Sequence, residues 1–479
     1  MAGVLGALAC MKKKSATTPT SPASSASPSI SNINGASAPS GVVDQPIEIN
    51  GANFQTSSAS VVFTQGDITA TVTPVSASAA DNSLVVTVPA GNGTEQFSLP
   101  GNVTVTVESN SMTSNGVSLA VTAASTFDAS AVTWTPATPL PIALTGLRAV
   151  AAPSAGTGAY VIVTGGSNGS SDTSVVYTNN WNTDGTVGPN WTTISDNQLP
   201  SSVASHAMVE ADPSNSPVSQ GSCYIYVLGG QAVLGGGPGG TSSVFMASVD
   251  TSTGGVGTWT LLTNGLPQAL VGLTATLYHG WIYVVGGLLS DGSPSTAVYS
   301  AQVNADGSLG TWMTAANSYP LGISFASLLG YGGSLFVLNG DPASSTDPNA
   351  VGNSGGSDTV YFARVISGSV GTWTESPAST LEARKKHNTW SAFGQVMNGE
   401  GIYPGSVEIE WSLFNASSTL ESWTALTNPP HANVYNAAGA FSPVLSPAGT
   451  PRFLLLGGET VASSGEGPLI NFVYYNNAP

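Results

Sequence analysis

The distribution of apolar residues predicts short strands along almost the whole chain after residue 28. Apolar and polar residues alternate in segments such as 59–63, 84–89, 103–107 and 117–121, and clusters of Gly, Asn, Ser and Pro separate these segments. Alternation with a period of two is typical of a strand with one buried face. We therefore predict an all-β protein.

A longer pattern repeats from residue 126 onward. An apolar strand ends in a pair of small residues, and a hairpin closed by a tryptophan follows. The pairs are Gly165-Gly166, Gly229-Gly230, Gly286-Gly287, Asn339-Gly340, Pro404-Gly405 and Gly457-Gly458, and the tryptophans are Trp134, Trp191, Trp259, Trp312, Trp373 and Trp423. A spacing of roughly 50 to 70 residues fits one four-stranded blade per repeat. Six pairs predict a six-bladed β-propeller, in which each tryptophan fills the wedge between neighbouring blades.

The order of these features also predicts how the propeller closes. Trp134 precedes the first pair, and the chain ends soon after the sixth. The last blade therefore lacks an outer strand, and residues 131–135 form a spare one. Pairing of 131–134 with 470–473 would remove the exposed edges of an open ring. We predict that an N-terminal strand closes the last blade.

Residues 28–123 have about seven short strands, which fits an immunoglobulin-like sandwich. Four features carry a more specific resemblance: the opening Pro28-Ser-Ile, the segment Ile49-Asn-Gly-Ala-Asn-Phe54, a Val-x-Val-Pro run and a Val-Thr-Val strand. Together they resemble an IPT/TIG domain. The resemblance implies a spacer or interaction module of bacterial surface proteins.

Residues 126–479 combine glycine pairs, neighbouring Tyr or Phe residues and tryptophans. This combination resembles Kelch repeats in a propeller of the galactose-oxidase-like class. Blades four and five depart from that pattern, with Asn339-Gly340 and Pro404-Gly405 as the small pairs. Galactose oxidase itself needs copper held by tyrosines and histidines beside a Tyr–Cys crosslink. The only propeller cysteine, Cys223, is predicted to be a small buried strand residue. We expect no metal and no cofactor.

The N-terminal residues predict export. Residues 1–10 resemble the end of a bacterial lipoprotein signal segment, with Cys10 as the lipidated residue; an ordinary tail with an unrelated cysteine is the alternative. Residues 11–27 form a Ser/Thr/Pro-rich tether with too little apolar surface to order itself. We expect an extracellular or outer-surface protein, attached to the membrane through a lipid on Cys10.

Composition narrows the possible partners. The 479 residues carry a net charge of −17 with only nine Lys and Arg residues. Nucleic-acid binding needs clustered basic residues, so we predict no nucleic-acid partner. A glycan or a surface protein is the expected partner.

The candidate site lies where the repeats differ. The loops after the small pairs are long and unlike one another, whereas the hairpins before the tryptophans are short and similar, which places binding on the long-loop face. The innermost strands begin there, beside the central channel. The candidate residues are Arg148, His206, Arg384, Lys385, Lys386, His387, Trp390, His431 and Tyr435. The cations could bind an anion such as a carboxylated sugar, and Trp390 or Tyr435 could stack on its ring; alternatively, the cations belong to a solvated loop.

No spacing of Glu210, Asp212, Glu382 or the histidines singles out a general acid and base. We therefore predict a non-enzymatic extracellular binding or adhesion protein. The alternatives are a carbohydrate-active hydrolase, lyase or epimerase that uses the same face, and a structural component of a surface layer or filament.

Overall fold

The structure is a computed structural model of the chain. It describes residues 26–479 except 56–57, 79–81, 125–126, 157, 232–238, 346–355, 403–408, 416–417, 427–433, 443–451, 463–464 and 477–479.

The N-terminal part is a two-sheet sandwich, as the sequence predicts. Its strands are β1 (Ser29–Ile33), β2 (Ser40–Val42), β3 (Pro46–Ala52), β4 (Ser60–Gln65), β5 (Ile68–Val72), β6 (Ser76–Ser78), β7 (Ser83–Thr87), β8 (Gly101–Ser109), β9 (Met112–Thr113) and β10 (Val117–Thr122). One sheet has the order β1-β3-β7-β6, and the other has the order β2-β10-β8-β4-β5 with β9 beside β8. The expected alternation is clearest in β8, where Val103, Val105 and Val107 are buried and Thr104 is exposed.

The rest of the chain forms six four-stranded blades around a central channel. A 3₁₀ turn, η1 (Ala129–Ala131), and β11 (Trp134–Pro136) come first. The inner-to-outer strands of blades 1 to 3 are β12 (Arg148–Pro153), β13 (Ala159–Thr164), β14 (Val176–Trp181) and β15 (Thr192–Thr193); β16 (Ala207–Ala211), β17 (Tyr224–Leu228), β18 (Val244–Ser248) and β19 (Thr260–Leu261); and β20 (Thr274–Tyr278), β21 (Trp281–Val285), β22 (Val298–Gln302) and β23 (Met313–Thr314).

Blades 4 and 5 follow the same order with one addition. Their strands are β24 (Ser327–Tyr331), β25 (Ser334–Leu338), β26 (Val360–Ile366) and β28 (Thr374–Glu375), with β27 (Ser369–Val370) also on β26; and β29 (Asn388–Ala392), β30 (Gln395–Gly399), β31 (Ile409–Leu413) and β32 (Thr424–Leu426). A small sheet of β33 (Val434–Tyr435), β36 (Glu459–Ala462) and β37 (Gly465–Leu469) stands beside blade 6.

Blade 6 confirms the predicted closure. It combines β34 (Ala438–Ser442), β35 (Arg452–Leu456) and β38 (Val473–Asn476) with β11 from the other end of the propeller. The pairing is antiparallel, with Thr135 opposite Tyr475, so both partners lie further along the chain than predicted. The reason is local: Asp128 Oδ1 accepts a hydrogen bond from Ser130 N at 2.9 Å, and this cap turns residues 129–131 into η1 instead of a strand.

The tryptophans occupy the wedges between blades, which also confirms the prediction. Trp259, Trp373 and Trp423 are buried in the apolar clusters between successive blades. The indole N–H of Trp259 donates to Asn197 O at 3.1 Å, in the connection that leads into the same blade. Trp191 and Trp312 donate in the same way, to Thr138 O and Asn264 O, so these three tryptophans fasten an outer strand to a neighbouring connection as well as filling space.

The small pairs link the blades through their backbone. In each pair both residues have positive φ, and the second N–H donates to a carbonyl of the next blade, as Gly166 N does to Val203 O at 2.8 Å. In blade 5 this position belongs to Glu400-Gly401, whose Gly401 N donates to Val434 O at 2.7 Å. The prediction that Pro404-Gly405 is the small pair of blade 5 was therefore wrong. Residues 404–405 themselves lie outside the described residues. The sequence pattern missed the true pair because a glutamate holds the first left-handed position.

Candidate functional site

A closed circle of backbone hydrogen bonds surrounds the channel on the long-loop face. One residue from each blade takes part, just before or at the start of the innermost strand. The donor–acceptor pairs are Gly146 N to Asn436 O (2.9 Å), Asn436 N to Lys386 O (2.9 Å), Lys386 N to Phe325 O (3.1 Å), Phe325 N to Gly272 O (2.7 Å), Gly272 N to Ser205 O (2.8 Å) and Ser205 N to Gly146 O (2.8 Å). We call these six residues the channel ring.

All six ring residues have φ between 51° and 65°, the left-handed conformation that glycine adopts without strain. The absent side chain of Gly272 is also needed, because a Cβ there would lie 2.6 Å from Phe325 Cε1. Glycine at this position therefore lets the ring of Phe325 lie across the channel.

Phe325, Lys386 and Tyr435 fill the mouth of the channel. The Lys386 ammonium lies 5.0 Å from the centroid of the Phe325 ring and 5.7 Å from that of Tyr435, which is cation–π distance. All three side chains are buried, with at most 6% of their surface exposed. The mouth that was expected to receive a ligand is thus filled by the protein.

The other two cations of the basic cluster are neutralised inside the protein. Arg384 Nη2 lies 3.2 Å from Glu410 Oε1, and neither side chain is exposed. Lys385 Nζ lies 2.6 Å from Asp341 Oδ2, also in a buried pair. The expectation of a solvent-facing anion site at 384–386 is therefore corrected, because acids far away in the sequence compensate these charges.

The histidines and Arg148 lie at different levels of the channel. His206 and His387 each follow a ring residue and are equivalent, whereas Arg148 comes two residues after Gly146. His206 Nε2 is 2.9 Å from Thr164 Oγ1. Burial, followed by the charge of Arg148, holds the pKa of His206 well below its ordinary value.

Burial and then Arg384 lower the pKa of His387 to about 3. Burial alone lowers the pKa of Arg148 to about 10, and its Nη1 donates to Leu147 O at 2.8 Å. Both histidines are thus neutral at pH 7, and neither adds positive charge to the mouth.

The two aromatic candidates are also buried. Trp390 packs against Trp134, with ring centroids 5.6 Å apart, in the core between blades 5 and 6. Tyr435 is fully buried beneath Lys386. The expectation that they stack on a sugar is therefore not supported by their positions. His431 and Cys10 lie outside the described residues.

Cys223 is buried, as expected from the sequence. Within the described part of the chain, no cluster of three or more His, Cys, Asp or Glu side chains could hold a metal ion. None of the helices described is both long and apolar enough to cross a membrane.

The sandwich docks on the opposite face, against the turns between first and second strands of blades 2 and 3 and against the third strand of blade 4. Ser37 Oγ donates to Val218 O at 2.7 Å in blade 2, and Arg364 Nη1 of blade 4 donates to Ser76 Oγ at 2.9 Å. Gly35 touches blade 3 so closely that a Cβ would lie 1.9 Å from His279 O. The long-loop face is therefore on the side away from the sandwich.

An ion pair between Glu48 and His279 connects the sandwich to blade 3. Glu48 Oε2 pairs with His279 Nδ1, and Glu48 Oε1 accepts a hydrogen bond from Ser83 Oγ at 2.6 Å. Burial raises the pKa of Glu48, but the hydrogen bond and charge of His279, together with the Ser83 hydrogen bond and the charge of Arg364, leave that pKa below its ordinary value. No sequence pattern indicates this pair, because Glu48 and His279 are far apart in the chain.

Glu48→Gln is expected to lower the free energy of unfolding by about 1.5–3 kcal/mol at pH 7, the usual value of a hydrogen bond to a charged group. Because the folded-state pKa of Glu48 is lowered, this contribution is present above about pH 4.5 and is lost as the pH falls through the folded-state pKa. Urea unfolding from pH 7 to pH 3 measures both effects. Glu108→Gln, an exposed change on the same sandwich, is the control; an equal or pH-independent loss in both variants would contradict the assignment.

The topology defines an all-β chain that joins an immunoglobulin-like sandwich to a six-bladed β-propeller. Residues 28–121 match the IPT/TIG domain family, which confirms the resemblance of this segment. The comparison with curated proteins gave no match. A similar solved structure, titled "Structure of YjhT", is 13% identical, covers 70% of this chain and 95% of that chain, and has a TM-score of 0.46. The propeller assignment rests on the blade topology itself.

Proposed function

We propose that the protein is a non-enzymatic binding protein of the cell exterior that presents the long-loop face of its propeller to a surface protein or a glycan. The single observation that carries this proposal is the docking of the sandwich on the opposite face, through Ser37, Glu48 and Ser76. The IPT/TIG match fits an extracellular binding protein in general. A lipid on Cys10 and the tether 11–27 would hold the molecule at a membrane.

Exposed apolar side chains favour a protein partner on this face. Leu321 and Leu381 lie in the connections that lead into blades 4 and 5, and their exposed fractions are 42% and 46%. Ile142, in the connection to blade 1, is 37% exposed. These connections reach the channel ring, so their side chains belong to the long-loop face. Burial of a leucine in an interface contributes about 1.5–3 kcal/mol.

Binding of the labelled full chain to intact bacterial cells tests the proposal. The double variant Leu321→Ser/Leu381→Ser should weaken binding at least about tenfold, the effect expected from two lost apolar contacts. Leu261→Ser/Met313→Ser is the matched control, because these side chains are similarly exposed on outer strands. Equal binding by both variants would contradict the use of the long-loop face. Loss of binding after periodate treatment of the cells would identify the partner as a glycan.

The basic cluster is not a useful target for this test. Replacement of Arg384, Lys385 and Lys386 by alanine would break two buried ion pairs at once. Such a variant would lose binding through loss of folding, whatever the position of the ligand site.

A further inference from the structure

A cavity of about 490 Å³ occupies the half of the central channel that faces the sandwich. The inner strands of blades 1, 2, 3 and 6 form its walls, through side chains such as Val150, Met208, Leu277 and Phe441. The cavity extends to the turn residues Ser214 and Asn215, beside the point where Ala38 N donates to Pro213 O at 2.8 Å. It therefore lies at the docking face, and the channel ring closes the other end of the channel. Its volume suits a small organic ligand.

One carboxyl group is placed in the apolar wall of this cavity. Glu210 Oε1 accepts a hydrogen bond from Cys223 Sγ at 3.2 Å, and Glu210 Oε2 accepts one from Asn215 Nδ2 at 3.0 Å. These two donors fix the carboxyl group and leave part of its acceptor capacity unused, because a carboxylate offers about four acceptor sites.

The two acidic groups of the cavity have no cation beside them among the residues that line it. Asp212 joins Glu210 in the lining, and the lining residues include no Lys, Arg or His. Among the described residues, no basic group lies within 4 Å of either carboxylate. Asp212 Oδ1 already accepts bonds from Ser214 N and Oγ at 2.6 Å, so Glu210 is the group available to a ligand.

We infer that this cavity binds a small organic monocation. The ligand would consist of one ammonium group and an apolar body of about six carbon atoms, for which there is room. The ammonium would donate hydrogen bonds to Glu210, and the apolar body would pack against the walls from Val150 to Phe441. Burial and the neighbouring Asp212 raise the pKa of Glu210 well above its ordinary value, which favours the protonated carboxyl group, and a bound ammonium would instead stabilise the ionised carboxylate. The site is separate from the long-loop face and does not rest on the function proposed above.

Isothermal titration of the full chain at pH 7.5 with n-hexylammonium, n-hexanol and hexanoate tests the inference. We expect n-hexylammonium to bind more tightly than n-hexanol, and hexanoate not to bind. Glu210→Gln should weaken n-hexylammonium binding about 10- to 100-fold, the value of a hydrogen bond to a charged group, and leave n-hexanol unaffected. Asp250→Asn removes one carboxylate from an exposed turn outside the cavity and serves as the control for net charge.

A second variant keeps the test decisive if Glu210→Gln does not fold. Ala275→Leu fills part of the cavity without changing a charge, and it should weaken both the amine and the alcohol. The inference is overturned if n-hexylammonium binds no tighter than n-hexanol, or if Asp250→Asn weakens binding as much as Glu210→Gln. It is also overturned if Ala275→Leu leaves amine binding unchanged.

Discussion

Arg384→Met is expected to destabilise the propeller by about 3–5 kcal/mol, because it leaves a buried carboxylate without its cation. Arg384 Nη2 contacts Glu410 Oε1 at 3.2 Å, and both side chains are fully buried. Glu410 also accepts hydrogen bonds from Leu381 N at 2.6 Å and from Asn398 Nδ2 at 3.0 Å. These neutral donors remain in the variant, but they do not supply the lost charge. Urea unfolding of the full chain at pH 8 measures the loss.

The pH dependence of this loss has a definite sign. Burial raises the pKa of Glu410, and Arg384 opposes that rise. Without Arg384 the pKa rises further, so Glu410 takes up a proton more readily in the folded variant as the pH falls. Protonation removes the buried charge. The difference in unfolding free energy between the native chain and Arg384→Met should therefore shrink from pH 8 to pH 5. A difference that grows over this range would contradict the role of Glu410.

The other blades supply a matched control. At the position of Arg384 they carry Leu144, Val203, Leu270, Ile323 and Val434. At the position of Glu410, blades 1, 3 and 4 carry Tyr177, Tyr299 and Tyr361. Because apolar replacement of a whole buried ion pair is often neutral or stabilising, Arg384→Leu/Glu410→Tyr should recover most of the stability lost in Arg384→Met. A double variant less stable than Arg384→Met would show that the pair has another structural role.

The framework of the fold could be predicted because each repeat carries its own signals. Glycines at left-handed positions, wedge tryptophans and a spare strand before the first blade are local features of the sequence, and they specify six blades and the closure. The two predictions that failed also depended on local features of the sequence. Glu400 holds a left-handed position that usually needs glycine, and the cap formed by Asp128 moved the closing strand from 131–134 to Trp134–Pro136.

The site could not be predicted in the same way, because it depends on which distant side chains compensate each charge. Arg384 and Lys385 look like an exposed basic cluster in the sequence, and only the fold brings Glu410 and Asp341 to them. The contact between Glu48 and His279 could not be predicted for the same reason. Composition showed an excess of acids, but it could not show that two of them pair with two of the three cations in the basic cluster of the propeller.

Cutting the chain after β11 is expected to lower the melting temperature by about 10 °C, whereas cutting before β11 should leave the propeller closed. The closing segment contributes Phe127, which packs on Phe453 with centroids 5.7 Å apart, and Trp134, which packs on Trp390. Removal of one large buried aromatic side chain costs about 3–5 kcal/mol, and each kcal/mol lowers the melting temperature by a few degrees in a domain of this size.

Two protease sites inserted in exposed segments make this comparison within the full chain. A site after Pro141 separates β11 from blade 1, and a site between 123 and 124 leaves β11 attached to the propeller. In the first case the closing strand is held only by non-covalent contacts, such as Ala137 N to Val473 O at 2.7 Å, so dilution should lower the melting temperature further. In the second case the melting temperature of the propeller should not depend on concentration. If both cuts give the same melting temperature at every dilution, β11 does not close the ring.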